Sequence, residues 1–119
     1  MLDKETKSYI EKSVLCWLAT SDNDNFPNVS PKEMFTHFGE NKLLIANIAS
    51  PNSIKNIMQN NKVYVSFVDV FIQKGFKIKG KATIIYKNDI NFSLKVKPLT
   101  NLYSDKFPIN TVIKKEKEK

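Results

Sequence analysis

The chain has 119 residues, 41% hydrophobic and 11% aromatic, which suits one globular domain (residues 1–119) and excludes a disordered chain. Its formal charge is +7, carried by nineteen lysines and no arginine. Arginine's planar fork is the group that reads guanine and phosphate in bidentate fashion, so this composition argues against sequence-specific nucleic-acid recognition.

No apolar run approaches the ~20 residues of a membrane helix. The stretch Met1 to Lys12 is polar and lacks the apolar core of a secretion signal. Cys16 is the only cysteine, so no internal disulfide can form. Together these features predict a cytoplasmic location. The lysines are mixed with acidic residues until the tail, which reads as a solvated surface rather than a nucleic-acid site.

In chain order, Asp3 to Lys12 predicts an opening helix with Tyr9 and Ile10 near one face. Val14 to Thr20 is nearly all apolar and too short for a typical helix, so it predicts a buried strand. Ser21 to Asn25 is a turn rich in Asp and Asn, which tolerate left-handed backbone. A second strand is expected from Pro27 to Phe38, with Pro31 marking an edge or bulge. Gly39 to Asn41 turns the chain into a third strand, Lys42 to Ala49.

A helix then starts with Ser50 as N-cap and Pro51 at its first position, and Ile54, Ile57 and Met58 follow at helical spacing. Asn60 and Asn61 stop it. Val63 to Val70 alternates as a strand, Gln73 to Gly75 turns, and Phe76 to Ile85 alternates again. In that last strand Phe76, Ile78, Gly80, Ala82 and Ile84 share one face and Lys77, Lys79, Lys81 and Thr83 the other. Asp89 to Val96 predicts a short helix limited by Pro98, and Pro108 to Ile113 a last strand. The final residues, Lys114 to Lys119, alternate Lys and Glu and are expected to fray. The pattern is a mostly β (α+β) fold, an antiparallel barrel with one crossover helix and flanking helices. Such a small barrel has little interior room, so a ligand belongs on its outside, in a groove or at a subunit boundary.

Few residues can carry chemistry. His37 stands alone and no spaced metal-ligand set is visible, so no metal is expected. Cys16 lies in an apolar strand, where it acts as a small hydrophobe. No nucleophile elbow or Gly-rich phosphate loop occurs, and no catalytic residue is assigned. Two segments remain. Ser50 to Asn56 could be an ordinary capped helix, or an anion site built from the helix N-terminus, short polar side chains and a lysine. Asn28 to Met34 could be an edge strand with a solvated face, or a strand whose Lys32 meets a phosphate or a polar ring. The lysines Lys77, Lys79 and Lys81 raise a basic adaptor as a further reading, but that strand carries no interleaved aromatics for single-strand binding.

Taken together, several segments resemble one family. They are Leu18-Ala19-Thr20, Phe26 to Pro31, Leu43 to Asn47, Ser50 to Asn56, Val63 to Phe67 and Gly75 to Ala82. Their order and spacing resemble the pyridoxamine 5′-phosphate oxidase-like family of FMN-binding split-barrel proteins, over roughly residues 14 to 85. The resemblance implies a six-stranded split β-barrel and a homodimer with FMN at its interface. It places Ser30, Pro31, Lys32 and Glu33 on the flavin ring side. On the phosphate side it places Asn47, Ser50, Asn52, Ser53 and Asn56. It implies an FMN-dependent oxidoreductase acting on a small or nicotinamide substrate, or else a flavin-binding or flavin-storing protein without turnover. The pyridoxamine phosphate oxidases themselves rely on arginines for FMN and substrate phosphates, and their absence here argues against that substrate.

Overall fold

A computed structural model describes residues 2–47, 50–103 and 111–117. Helix α1 (Lys4–Lys12) starts at Asp3, whose Oδ1 accepts the Thr6 backbone N–H at 2.7 Å. Such a cap contributes about 1 kcal/mol. Ile10 and Leu2 point from this end of the chain into the core.

Strands β1 (Cys16–Ser21) and β2 (Pro27–Lys32) form a hairpin. Its turn is built from the side chain of Asp22, whose Oδ1 accepts the N–H of Asp24 at 2.8 Å and of Phe26 at 3.0 Å. Asn25 takes the left-handed conformation at φ 64°, as an Asn can at little cost.

The single strand expected from Pro27 to Phe38 is two strands. β2 stops at Lys32, and β3 (Phe35–Phe38) pairs instead with β4 (Lys42–Ala46). The reason is topological. The sheet runs β2-β1-β5-β6-β7-β4-β3, so β2 and β3 are its two edges. Glu33 and Met34 carry the chain from one edge to the other. The count is therefore seven strands rather than six, and Pro31 sits on an edge strand, where its missing N–H costs least. The expected end of the third strand at Ala49 lies outside the described residues.

Helix α2 (Pro51–Gln59) crosses to β5 (Lys62–Asp69), which pairs with the long β6 (Lys74–Tyr86). All pairings are antiparallel. The sheet is rolled: the rings of Phe35 on β3 and Phe67 on β5 meet at 5.4 Å, although four strand positions separate them in the sheet order. The interior is one apolar cluster drawn from β1 and β3 through β7, with Leu18, Ile45, Val65 and Ile113 wholly buried.

The C-terminal part corrects two expectations. The helix predicted over Asp89 to Val96 is α3 (Phe92–Lys95), and a further helix, α4 (Lys97–Tyr103), follows it. Pro98 does not stop the helical region. It occupies the first turn of α4, where a backbone N–H has no intrahelical partner to lose. The expected frayed tail is instead strand β7 (Thr111–Lys117), inserted between β6 and β4. Two neighbouring strands with open edges need backbone donors and acceptors, and a Lys-Glu backbone supplies them as well as any other. Val112 and Ile113 fall on opposite faces, each in a different apolar cluster, and Lys115 is buried. The expected strand residues Pro108 to Asn110 and the last two residues lie outside the described set.

The second cluster lies on the outer side of the barrel wall. Leu44, Ala46, Ile85 and Val112 there meet Val96 and Leu99 from the α3–α4 region. This explains why β6 changes character near its end, with Ile85 covered by helices while Thr83 stays exposed.

Candidate functional site

Helix α2 forms because Pro51 presets the first turn and Ile54 and Ile57 bury one stripe. Ser50 holds the N-cap position at φ −137° and ψ 75°, but its hydroxyl makes no capping bond. Beneath the helix, the stripe is not purely apolar. Ser53 is 0% exposed and sits against β2. Its Oγ lies 3.0 Å from Ser30 Oγ and accepts from Asn28 Nδ2 at 3.4 Å. One turn on, Asn56 Nδ2 donates to Thr20 Oγ1 at 3.1 Å. A parallel chain of bonds runs alongside. Lys32 Nζ donates to Asn47 Oδ1 at 2.7 Å, and Asn47 Nδ2 donates to the Ser50 carbonyl at 3.2 Å.

Strand alternation decides which β2 residues join this network. Ser30 and Lys32 point under α2, whereas Pro31 is exposed on the opposite face. Glu33, in the crossing between the two sheet edges, is exposed as well. Asn52 is exposed at the start of α2. The nine residues proposed as cofactor contacts are thus divided. Ser30, Lys32, Asn47, Ser53 and Asn56 are buried, with Ser50 joined through its carbonyl, while Pro31, Glu33 and Asn52 stand outside the network.

Burial has electrostatic consequences. Lys32 is 4% exposed, and loss of water holds its ammonium below the ordinary lysine range. Cys16 faces Lys32 across the β1–β2 register. Burial pushes its thiol up to about 12, with the Lys32 charge opposing the shift. A thiol so protonated and buried is no nucleophile at neutral pH. His37 is also committed, with Nε2 2.8 Å from Glu11 Oε1, tying β3 to α1.

The open feature beside the network is a groove of about 520 Å³ between α2 and the β1–β2 turn. Asn52, Lys55, Asn56 and Gln59 line the helix side, and Asp22, Asp24, Phe26 and Asn28 line the turn side. The helix residues form an i, i+3, i+4, i+7 polar stripe about 10 Å long. Asn28 and Asn56 belong to both groove and network, so the network forms the groove's floor. The sequence reading raised the lysine of Ser50 to Asn56, which is Lys55, as a possible anion contact, and it did not single out Thr20, Asn28, Gln59 or Phe26. The polar stripe on α2 was the available signal for Gln59. Phe26 and Asn28 depend on how the hairpin folds back against the helix.

The model of the pyridoxamine 5′-phosphate oxidase family matches residues 2–118. The chain belongs to this family. Solved structures agree in fold. HupZ from Group A Streptococcus has a TM-score of 0.82 at 21% identity, covering 99% of this chain and 90% of that one. An FMN-binding protein from Syntrophomonas wolfei subsp. wolfei has a TM-score of 0.73 at 17% identity, covering 95% and 80%. HutZ, the haem storage protein from Vibrio cholerae, has 0.72 at 18% identity, covering 99% and 91%. No curated protein matches. As a member of the pyridoxamine 5′-phosphate oxidase family, this chain combines a groove with one lysine, two carboxylates and several amides with a neutral Ser-Ser contact beneath it. Among the described residues, no helix is long and apolar enough to cross a membrane.

Proposed function

We propose that the protein binds FMN in the groove between α2 and the β1–β2 turn and works as a homodimeric oxidoreductase on a small substrate. The observation that carries this reading is the groove itself. Its volume falls in the range of nucleotide-sized sites. The N-terminal turn of α2, with Asn52 and Lys55, suits a phosphate. Phe26, 71% exposed, offers a face for a flat ring, and the amides of Asn28 and Gln59 can bond ring heteroatoms. Asp22 and Asp24 repel an anion, which favours the α2 end for the phosphate. Bound FMN would supply hydride or electron transfer. The chain's own part is to bind and orient it. Lys32 and Asn47 hold the strand–helix junction, and the Ser30–Ser53 contact fixes α2 against β2.

The dimer reading draws on a patch at the other end of the sheet. Val14, Val68, Val70, Phe71 and Ile72 are all exposed there, with Phe71 90% accessible. Apolar surface gathered in this way fits a protein partner.

The test is the absorption spectrum of purified protein after denaturation, followed by FMN titration of the stripped protein. Released flavin, or saturable binding weakened about tenfold by Lys55→Glu through loss of a charge-assisted contact, supports the proposal. A colourless protein that ignores added FMN overturns it, and a haem spectrum would move the ligand to haem. Anaerobic addition of reduced nicotinamide nucleotide then separates an enzyme, whose flavin bleaches, from a flavin-storing protein, whose flavin does not. Sedimentation reads the dimer.

A further inference from the structure

The amides on the floor of the groove are held by one end only. Asn56 is 8% exposed, and its Nδ2 donates to Thr20 Oγ1 at 3.1 Å. That bond turns the nitrogen into the barrel wall and leaves Oδ1 for the groove that Asn56 lines. Among the described residues, no donor reaches this oxygen, and it is open to the groove rather than sealed in. Asn28 stands opposite Thr20 in the β1–β2 register and is held in the same way, with Nδ2 donating to Ser53 Oγ. Thr20 and Ser53 are both buried, so the two points of attachment belong to the wall itself.

We propose that the Asn56 carbonyl oxygen accepts a hydrogen bond from a ribityl hydroxyl of bound FMN. Asn56 is then a specificity-determining residue, and Thr20 is the positioning residue that aims it. The contact rests on the flavin reading above and names what the groove floor selects. Helix geometry picks out the hydroxyl chain. With the phosphate at the N-terminal turn of α2 beside Asn52 and Lys55, Asn56 lies about 6 Å further along the axis, four residues beyond Asn52. The hydroxyl-bearing carbons of FMN stand at that place, between its phosphate and its ring. A phosphate oxygen accepts hydrogen bonds and gives an amide oxygen nothing, whereas a hydroxyl donates to it. A ligand without that hydroxyl would cover Oδ1, take away its water and offer no donor in return. The cost of that unpaired acceptor is the source of the selectivity.

The test titrates the stripped protein, by quenching of flavin fluorescence, with FMN and with its 2′-deoxy, 3′-deoxy and 4′-deoxy analogues. One analogue should bind about tenfold more weakly than FMN, the effect of one covered and unpaired acceptor. Asn56→Leu should weaken FMN by about the same factor and bring that analogue level with FMN. Thr20→Val keeps the shape of the wall but frees the amide, so the discrimination should shrink to about threefold or less. Lys55→Glu acts on the phosphate and should weaken FMN and analogue alike, with the discrimination preserved. Melting temperatures verify that each variant folds, and the analogue series on the unchanged protein needs no variant. If FMN binds and all three analogues match it, the Asn56 contact is overturned while the flavin site stands. Discrimination that survives in Asn56→Leu overturns it as well. A protein that ignores FMN overturns both the contact and the flavin site.

Discussion

Helices α2 and α4 both lie against the sheet, and their beds differ. Under α4 the contact is mainly apolar, with Leu99 buried among Leu44, Ile85, Val96 and Val112, and one hydrogen bond joins it, from the Tyr103 hydroxyl to the Phe35 carbonyl at 3.3 Å. Beneath α2 the apolar Ile54 and Ile57 share the contact with Ser53, Asn56, Ser30 and Thr20, every one hydrogen-bonded. Area removed from water holds α4 in place, and it tolerates small shifts. Oriented hydrogen bonds also hold α2, and these fix its rotation and height. A helix whose N-terminus lines a ligand groove benefits from that fixity, because a displacement of about 1 Å would spoil its contacts.

The comparison can be broken from its apolar side first. Leu99→Ala should cost about 2–5 kcal/mol, the range for a buried leucine truncated to leave a cavity. It should leave FMN affinity within a factor of two. Urea denaturation and flavin titration measure the pair of effects, and a change in FMN affinity larger than the stability change would mean that the two beds are not independent.

Next in size is the Ser30–Ser53 contact. Either single change to Ala leaves the other hydroxyl to find a new partner and should cost about 1 kcal/mol. The double variant should cost less than the two singles together, since no unpaired hydroxyl remains in that contact. A double-mutant cycle reads this directly. Strict additivity would show that the two hydroxyls do not depend on one another.

Lys32 gives a pH signature. Its folded-state value lies below the ordinary 10.5 because burial penalises the charge. The unfolded chain therefore binds more protons than the folded one between the two values, and stability rises with pH across that window. Lys32→Met should remove this part of the rise. The difference between wild-type and variant urea midpoints, followed from neutral pH to about 10, isolates it from the other lysines. A difference independent of pH would mean that Lys32 is solvated in the folded state. The smallest effect expected is from Ser50→Ala, within about 0.5 kcal/mol, because its side chain makes no cap bond. Asp3→Ala at the start of α1 should cost about 1 kcal/mol by comparison.

Local chemistry made much of the fold legible. Alternation in β5 and β6 named their inward faces, and Val63, Val65, Phe67, Ile78 and Ala82 are all buried. Pro51 set the start of α2, and the Asp-Asn turn supplied its own capping side chain and left-handed residue. The site was legible only in part. Ser53 and Asn47 could be named as polar residues near a helix start, but not as partners of Ser30 and Lys32, because those bonds join residues 23 and 15 positions apart.

The sequence by itself determined the periods, the turns, the positive charge and the order of segments that marks the family. Those are properties of neighbouring residues. Tertiary structure alone decided three things. It broke one expected strand at Lys32, because the chain must pass from one sheet edge to the other. It drew the Lys-Glu tail into the middle of the sheet, because β4 and β6 had backbone edges to satisfy. And it set Trp17 and Tyr64 beside a row of lysines, because register between strands brings together side chains that no local pattern connects.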